Sequence, residues 1–258
     1  MKKITITFFA LVATITLVLS GTAFSHEFIL KPVQMNPSPD QRVPFSVVSA
    51  HVFMVSEEME PVDQVSVRLH SEGKPGEIAL SENPTLMTLD GIAEIPSEGT
   101  HILAGHRKGM AWTQTTQGWK QAGKKGLTGV ISSGLYEKFC KTLMTAGTPD
   151  NGYKTVLGQT LEIVPVENPA ELRTGDETAF RILYDGKPIS TEVLATYDGF
   201  SNRPGTYAFF TESDAEGMAH VQIDHPGTWM VRAEHKMDDP TEDYDTHVLR
   251  SVLVFDVR

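Results

Sequence analysis

TWMVRAEH, at residues 228–235, places an apolar side chain at every second position from Trp229 to Ala233. Trp229, Val231 and Ala233 fall on one face of an extended chain, and His235 follows them on that face. A period of two residues is typical of a β-strand that buries one face against a core. The segment therefore predicts a strand with a packed inner face and a histidine at its end.

Short segments of the same kind recur from Gly158 to the end of the chain, and turn signals such as YDG and HPG separate them. Seven strands at this regular spacing favour an antiparallel sandwich. The other six segments are LEIVPV (161–166), TAFRILYDG (178–186), TEVLATYDG (191–199), TYAFFTES (206–213), AHVQIDH (219–225) and HVLRSVLVFDV (247–257).

The preceding half also consists mostly of predicted strands, of which PFSVVSAHVFMV (44–55) and QVSVRLH (64–70) are the clearest. The polar stretch AWTQTTQGWKQAGKKGL (111–127) contains glycines and lysines, and it predicts a loop. SGLYEKFCKTLMTAG (133–147) carries apolar residues at a spacing of four, which predicts a helix.

These patterns together predict an all-β protein of two β-sandwich domains with one short helix. We expect a signal peptide at residues 1–25, an N-terminal β-rich domain at 26–155 and a C-terminal sandwich at 156–258. A chain of this length can bury enough apolar surface for one or two domains.

Residues 1–25 have the order of a secretion signal: two lysines, an apolar run and then small residues. A cut after Ser25 would leave His26 as the first residue, and we favour it over a cut after Ala23, which would leave Phe-Ser-His. No later apolar run approaches the ~20 residues that a membrane helix needs. We therefore expect a soluble periplasmic protein without stable membrane insertion.

Composition excludes several classes of function. Loss of the predicted signal removes two lysines and no acid, so 20 basic and 33 acidic side chains remain and the formal net charge is −13. Such a surface repels nucleic acid. Cys140 is the only cysteine, so no internal disulfide can form. The sequence lacks G-x-S-x-G, P-loop, H-E-x-x-H and C-x-x-C motifs, and we expect no enzyme activity.

His26 is the first candidate metal ligand because of its covalent context. As a leading residue it would offer its α-amine and its Nδ1 to one ion in a six-membered chelate ring. The amine has a reference pKa of about 7.7–8.0, so a divalent metal displaces its proton readily near neutral pH. Imidazole suits copper, nickel and zinc. A free Phe-Ser-His end could instead bind copper or nickel through its amine, amides and imidazole.

His51 falls on the apolar face of its predicted strand. A buried imidazole without a partner costs about 1–3 kcal/mol, so it needs a hydrogen bond or a metal. Met54, Glu57, Glu58 and Met59 follow it and could supply donors, although SEEMEP is more often a solvated turn.

His235 and His247 stand at the end and the start of two predicted strands, with the acidic segment DDPTEDYD (238–245) between them. Both fall on inner faces by alternation. If the strands form a hairpin, the two histidines lie near one end of the sandwich. The candidate metal ligands are therefore His26, His51, His235 and His247.

Several phrases resemble a large family of exported bacterial proteins, the domain of unknown function 4198 family. The start AFSHEFILKP (23–32) is similar to that family's entry into the mature chain. SAHVFMVSEE (49–58), LGQTLEIVPVENPAELRTGD (157–176), RILYDGKPIS (181–190) and GTWMVRAEHK (227–236) continue the resemblance. It covers nearly the whole mature chain.

Members of that family are commonly labelled as a periplasmic component of a cobalt- or nickel-type ABC uptake system. The resemblance implies a metal-linked periplasmic role, an inner-membrane transporter as partner and an immunoglobulin-like second half. It also implies His26, His51 and His235 as ligands. Nickel or cobalt follows from the label, whereas plain ligand chemistry favours copper, which tops the divalent affinity order.

The sequence thus predicts a non-enzymatic periplasmic protein that binds a transition metal ion as an accessory to metal uptake or handling. Two alternatives stay open. One is a binding module whose loop with Trp112 and Trp119 holds a protein or glycan partner. The other is a copper enzyme with an N-terminal histidine brace.

We predict that the exported protein begins at His26. Intact-mass spectrometry of protein recovered from the periplasm should give the mass of residues 26–258. A mass that starts at Phe24 would establish the other cut, and a full-length mass would contradict export with processing.

Overall fold

The computed structural model describes residues 26–71 and 74–258, so the predicted signal peptide lies outside the described residues. Within those ranges the chain forms seventeen strands and three short 3-10 helices. The helices are Val62–Gln64, Gly152–Lys154 and Pro169–Glu171. The strands are β1 (Glu27–Pro32), β2 (Arg42–Ala50), β3 (Val65–Ser71), β4 (Lys74–Ile78), β5 (Ser81–Asn83), β6 (Thr88–Glu94), β7 (Gly99–Thr115), β8 (Gly118–Lys120), β9 (Val130–Ala146), β10 (Leu161–Pro165), β11 (Glu177–Tyr184), β12 (Lys187–Pro188), β13 (Glu192–Tyr197), β14 (Phe209–Glu212), β15 (Met218–Gln222), β16 (Gly227–Asp238) and β17 (Thr246–Val257).

The strands form three sheets. The central sheet has nine strands in the order β14-β13-β16-β17-β9-β7-β3-β4, with β8 beside β7. A four-stranded sheet has the order β1-β2-β6-β5. A second four-stranded sheet has the order β10-β11-β12, and its fourth strand, β15, also pairs with β11.

Two apolar cores lie on opposite faces of the central sheet. One core joins Phe28 and Phe45 of the β1 sheet to Leu103 and Cys140 of the central sheet. The other joins the β10 sheet to the central sheet, and Trp229 is its largest fully buried side chain. Alternation within each central strand supplies both faces, because successive side chains point to opposite sides. The all-β sandwich prediction is confirmed, and all seven segments from 161 onward contain strands.

The central sheet contains strands from both sides of residue 155. β17 pairs with β9 in parallel, with Thr246 opposite Gly134 and Val254 opposite Thr142. The domain boundary near residue 155 stays a prediction, and the two sides of it share this sheet.

The helix predicted at 133–147 is wrong, because residues 133–146 of this segment belong to strand β9. Phe139 and Leu143 pack in one core, whereas Cys140 and Met144 pack in the other. A spacing of four residues keeps side chains on one face of a strand as well as of a helix, since four is a multiple of two. Both faces of β9 are covered, so its sequence lacks the polar alternation that marks a half-exposed strand.

Two other boundaries also differ from the sequence patterns. The predicted loop 111–127 contains the end of β7 and all of β8, which pair as a hairpin. The strand predicted at 44–55 ends at Ala50, where the chain enters a turn. Among the described residues, no helix is long and apolar enough to span a membrane.

A buried ion pair connects the central sheet to β10. Lys141 Nζ contacts Glu162 Oε1, and both side chains are almost fully buried. Glu162 also accepts hydrogen bonds from the backbone N–H groups of Leu157, Gly158 and Gln159. Burial lowers the pKa of Lys141, and the charge of Glu162 opposes that effect.

We predict that Lys141→Met lowers the free energy of unfolding by about 3–5 kcal/mol, because it leaves a buried carboxylate without its cation. Urea unfolding measures this loss. Lys187→Met is the matched control, since Lys187 is exposed on β12 and its replacement should change stability by less than about 0.5 kcal/mol. Equal effects of the two substitutions would contradict the ion pair's role.

Candidate metal centre

The pairing of β1 with β2 brings two of the predicted ligands together. Glu27 lies opposite Ala50 in this antiparallel ladder, so His26 and His51 occupy the next opposed positions of the same register. Their ring centroids are 3.8 Å apart, with a tilt of 40° between the planes. Each side chain is 20% exposed. Strand pairing alone therefore places the two imidazoles side by side at the edge of the fold.

The turn after β2 returns two carboxylates to this pair. Val52 and Val55 form an isolated bridge, and Met54 between them takes a positive φ of 67°. The chain then runs back along β2, where Glu58 bridges to Ser49. Positive φ is uncommon for a residue other than glycine, and here it turns the chain tightly enough to set residues 57 and 58 over the histidines.

Glu57 lies between the two imidazoles, and Glu58 contacts that of His26. Glu57 Oε2 lies 2.7 Å from His51 Nδ1 and 3.5 Å from His26 Nε2. Glu58 Oε1 lies 3.0 Å from His26 Nδ1. The other oxygen of Glu57 accepts the backbone N–H groups of His51 and Val52, at 3.1 and 3.3 Å. These hydrogen bonds hold Glu57 in place before any ligand arrives.

One ligand atom from each of His26, His51 and Glu57 can be chosen so that all three lie within 4.8 Å of one another. Two imidazoles and one carboxylate form a donor set that suits first-row divalent metals. These are the three side chains that could hold such an ion. Sequence patterns singled out His26 and His51, but they gave no firm role to the SEEMEP turn. The chain folds back along β2 at this turn because Met54 takes a positive φ, and the residue type alone does not predict that conformation.

Glu27 anchors the backbone next to His26. It is buried, its Oε1 lies 2.8 Å from Arg232 Nε, and Tyr207 donates its hydroxyl to the same oxygen at 3.0 Å. Burial by itself raises the pKa of Glu27, but Arg232 and Arg250 outweigh this effect and lower it. The first residue after His26 is thus fixed as a buried anion, which restrains where the imidazole can lie.

His235 lies away from this cluster, on the other face of the central sheet. It pairs in register with Leu249, which packs in the core beneath the β10 sheet. Its ring lies against Tyr184, with centroids 4.7 Å apart, and burial lowers the pKa of His235.

His247 shares that face of the β16–β17 hairpin, opposite Met237. Its Nε2 lies 3.2 Å from Glu137 Oε2, and His106 Nε2 lies 2.6 Å from Glu137 Oε1. The structure therefore brings His26 and His51 together and leaves His235 and His247 at other places.

The protein is thus all-β, and His26, His51 and Glu57 form a His–His–Glu group where β1 begins and β2 ends. The family model described as "Domain of unknown function (DUF4198)" matches residues 23–237. The chain belongs to this family. No curated protein matches the chain.

Solved structures give only distant likenesses. The D0-D1 domain of intimin is 12% identical over 89% of this chain and 98% of its own, with a TM-score of 0.24. The ectodomain of mouse nectin-like molecule 4 is 11% identical over 90% of this chain and 64% of its own, with a TM-score of 0.23. Scores at this level support no inference about fold or function.

We predict that Glu57 titrates below its ordinary range in the metal-free protein. Partial burial raises the pKa of Glu57, but hydrogen bonds and charge from His51 outweigh burial and lower it. A lowered acid pKa contributes stability above the unfolded-state pKa, and this contribution is lost as the pH falls through the folded-state pKa. His51→Ala should move the midpoint of Glu57 upward in a carboxyl NMR titration. His220→Ala should leave it unchanged, and an equal midpoint in all three proteins would refute the contact.

Proposed function

We propose that this protein is an exported, periplasmic transition-metal-binding protein that serves metal uptake or handling. The observation that supports this proposal is the cross-strand pair of His26 and His51 with Glu57 beside it. Strand pairing and hydrogen bonds position these donors, so little conformational entropy is lost when they converge on an ion.

His26 has a special role in this proposal if the signal is cut before it. Its α-amine would then join its imidazole in holding one ion, and His51 would add a nitrogen from the neighbouring strand. Glu57 would supply an oxygen or hold the ring of His51 by its hydrogen bond, as carboxylates often do for metal-bound histidines. Metal binding at His26 Nδ1 requires that the contact between this nitrogen and Glu58 is broken. The free-energy cost is small, because the carboxylate of Glu58 is half exposed and can turn to solvent.

Ligand chemistry narrows the choice of metal. Two or three nitrogens with a carboxylate favour copper, nickel, cobalt or zinc over magnesium and calcium, which prefer oxygen. The resemblance to exported proteins with a nickel or cobalt label favours those two ions, and the divalent affinity order favours copper. An inner-membrane transporter that receives the ion would be the protein partner. We propose binding and delivery rather than catalysis.

We predict that His26→Ala and His51→Ala each lower the affinity for Ni²⁺ or Cu²⁺ by at least tenfold, about 1.4 kcal/mol. One residue added before His26 should weaken binding similarly, because it moves the free amine away from the imidazole. Isothermal titration calorimetry on protein with a verified first residue measures all three effects.

His220→Ala is the matched control, since His220 is an exposed histidine whose side chain is 58% accessible. It should bind metal like the parent protein. Unchanged metal affinity in both His26→Ala and His51→Ala would contradict the proposed site. So would a loss of affinity that occurs in His235→Ala or His247→Ala but not in these two variants.

A further inference from the structure

A cavity of about 290 Å³ opens beside His26. It lies between the segment that follows Glu58 and strands β7, β8 and β9. Its walls include Trp112, Trp119 and Tyr136, together with the thioethers Met59 and Met110. Its volume is near the lower end of the ~300–1,000 Å³ typical of ligand sites, which suits a molecule of one or two rings.

Three charged side chains line the same cavity and are almost fully buried. Arg107 is 2% exposed, Lys138 is 5% exposed and Glu60 is 6% exposed. Lys138 Nζ donates to Glu60 Oε1 at 3.1 Å, and Ser49 Oγ donates to the same oxygen at 3.1 Å. A second carboxylate, that of Glu58, also lines the cavity, but it is half exposed and lies beside His26. The almost fully buried charges are therefore two cations and one carboxylate.

Of the two cations, Arg107 makes the poorer contact with Glu60. Its Nε lies 3.7 Å from Glu60 Oε2, beyond hydrogen-bond distance, and makes no hydrogen bond within the described part of the chain. Its Nη1 donates to the carbonyl of Lys108 at 2.9 Å. Burial lowers the pKa of Arg107 and of Lys138. The charge of Glu60 offsets this only in part for both cations, as do Glu137 and Glu58 for Arg107. A buried cation of this kind is stabilised by an anion that enters the cavity.

We infer that this cavity binds a small aromatic carboxylate. Its ring would pack against Trp112, Trp119 and Tyr136, which favour stacked or edge-to-face contact with another ring. Its carboxylate would lie at the end where Arg107 and Lys138 line the cavity, because guanidinium groups bind carboxylates with strong charge-assisted hydrogen bonds. Aromatic walls alone would accept a neutral ring, and the buried cations select the acid.

This inference does not require the metal. His26 lines the cavity and also belongs to the proposed metal centre, so the two ligands could influence each other. The cavity's own recognition groups are Arg107, Lys138 and the aromatic walls, and none of these contributes to the His–His–Glu cluster. A binding experiment in the presence of a chelator therefore tests the cavity separately.

Isothermal titration calorimetry of the mature protein in EDTA, with benzoate and indole-3-acetate as probes, tests the inference. At least one acid should bind with a dissociation constant below about 1 mM, and its amide isostere, benzamide or indole-3-acetamide, should bind at least tenfold more weakly. Acetate should show no binding at the same concentrations. Equal binding of acid and amide, or no binding of either acid, would overturn the inference.

Two substitutions localise the binding. Arg107→Met should weaken the acid at least tenfold without affecting the amide, provided that its circular dichroism and thermal transition match those of the parent. Trp119→Ala should lower the affinity for the acid at least threefold. The variant should keep its fold, because Trp119 is 37% exposed. Phe200→Ala removes a ring of similar exposure, 39%, outside the cavity. Unchanged affinity in Trp119→Ala, or equal losses in Trp119→Ala and Phe200→Ala, would place the acid elsewhere.

Discussion

The register between β1 and β2 is the constraint on which the site depends. Opposed residues in this ladder run from Glu27 with Ala50 to Pro32 with Phe45. A slip of one residue would reverse the face of every side chain on β1. Phe28, Ile29 and Leu30 all pack in the core between this sheet and the central sheet, and their packing holds the register. The meeting of His26 with His51 is therefore a consequence of apolar packing several residues away.

The central sheet is shaped to receive β1. Gly105 on β7 lies under Phe28, and a Cβ at that position would stand only 2.8 Å from the Phe28 ring. A larger residue there would force the side chain of Phe28 to shift. At the start of the strand, the ion pair of Glu27 with Arg232 fixes the residue next to His26. Buried charge at Glu27 and packing at Phe28 thus restrain the first two residues of β1, and with them the position of the imidazole that precedes the strand.

Sequence patterns predicted the strands well where one face of a strand is buried and the other is exposed. They failed at β9, which is covered on both faces and whose four-residue spacing fits a helix equally well. They also selected His26 and His51 separately, from the signal boundary and from an apolar face. The pairing of these two histidines could not be predicted, because register between strands depends on contacts distant in sequence. Glu57 had no firm role for a similar reason: its place over the histidines follows from the turn at Met54.

The same limits explain the histidines that lie elsewhere. His235 and His247 do share one face of a hairpin, as alternation indicates, but that face belongs to the opposite side of the central sheet from His26. A period of two gives a side chain one of two faces, and the sequence does not say which sheet covers each face. The aromatic cavity beside His26 could not be predicted from the sequence either. Arg107 and Lys138 come together through the pairing of β7 with β9, and Glu60 reaches them because the chain folds back after β2.

The most direct test of the account is the position of the metal itself. Crystals of the mature protein loaded with nickel, copper or zinc would give an anomalous difference peak. The account predicts a peak about 2 Å from an imidazole nitrogen of both His26 and His51, the usual length of a zinc–imidazole bond. A peak beside His235 or His247, or saturating metal with no peak near the start of β1, would contradict it.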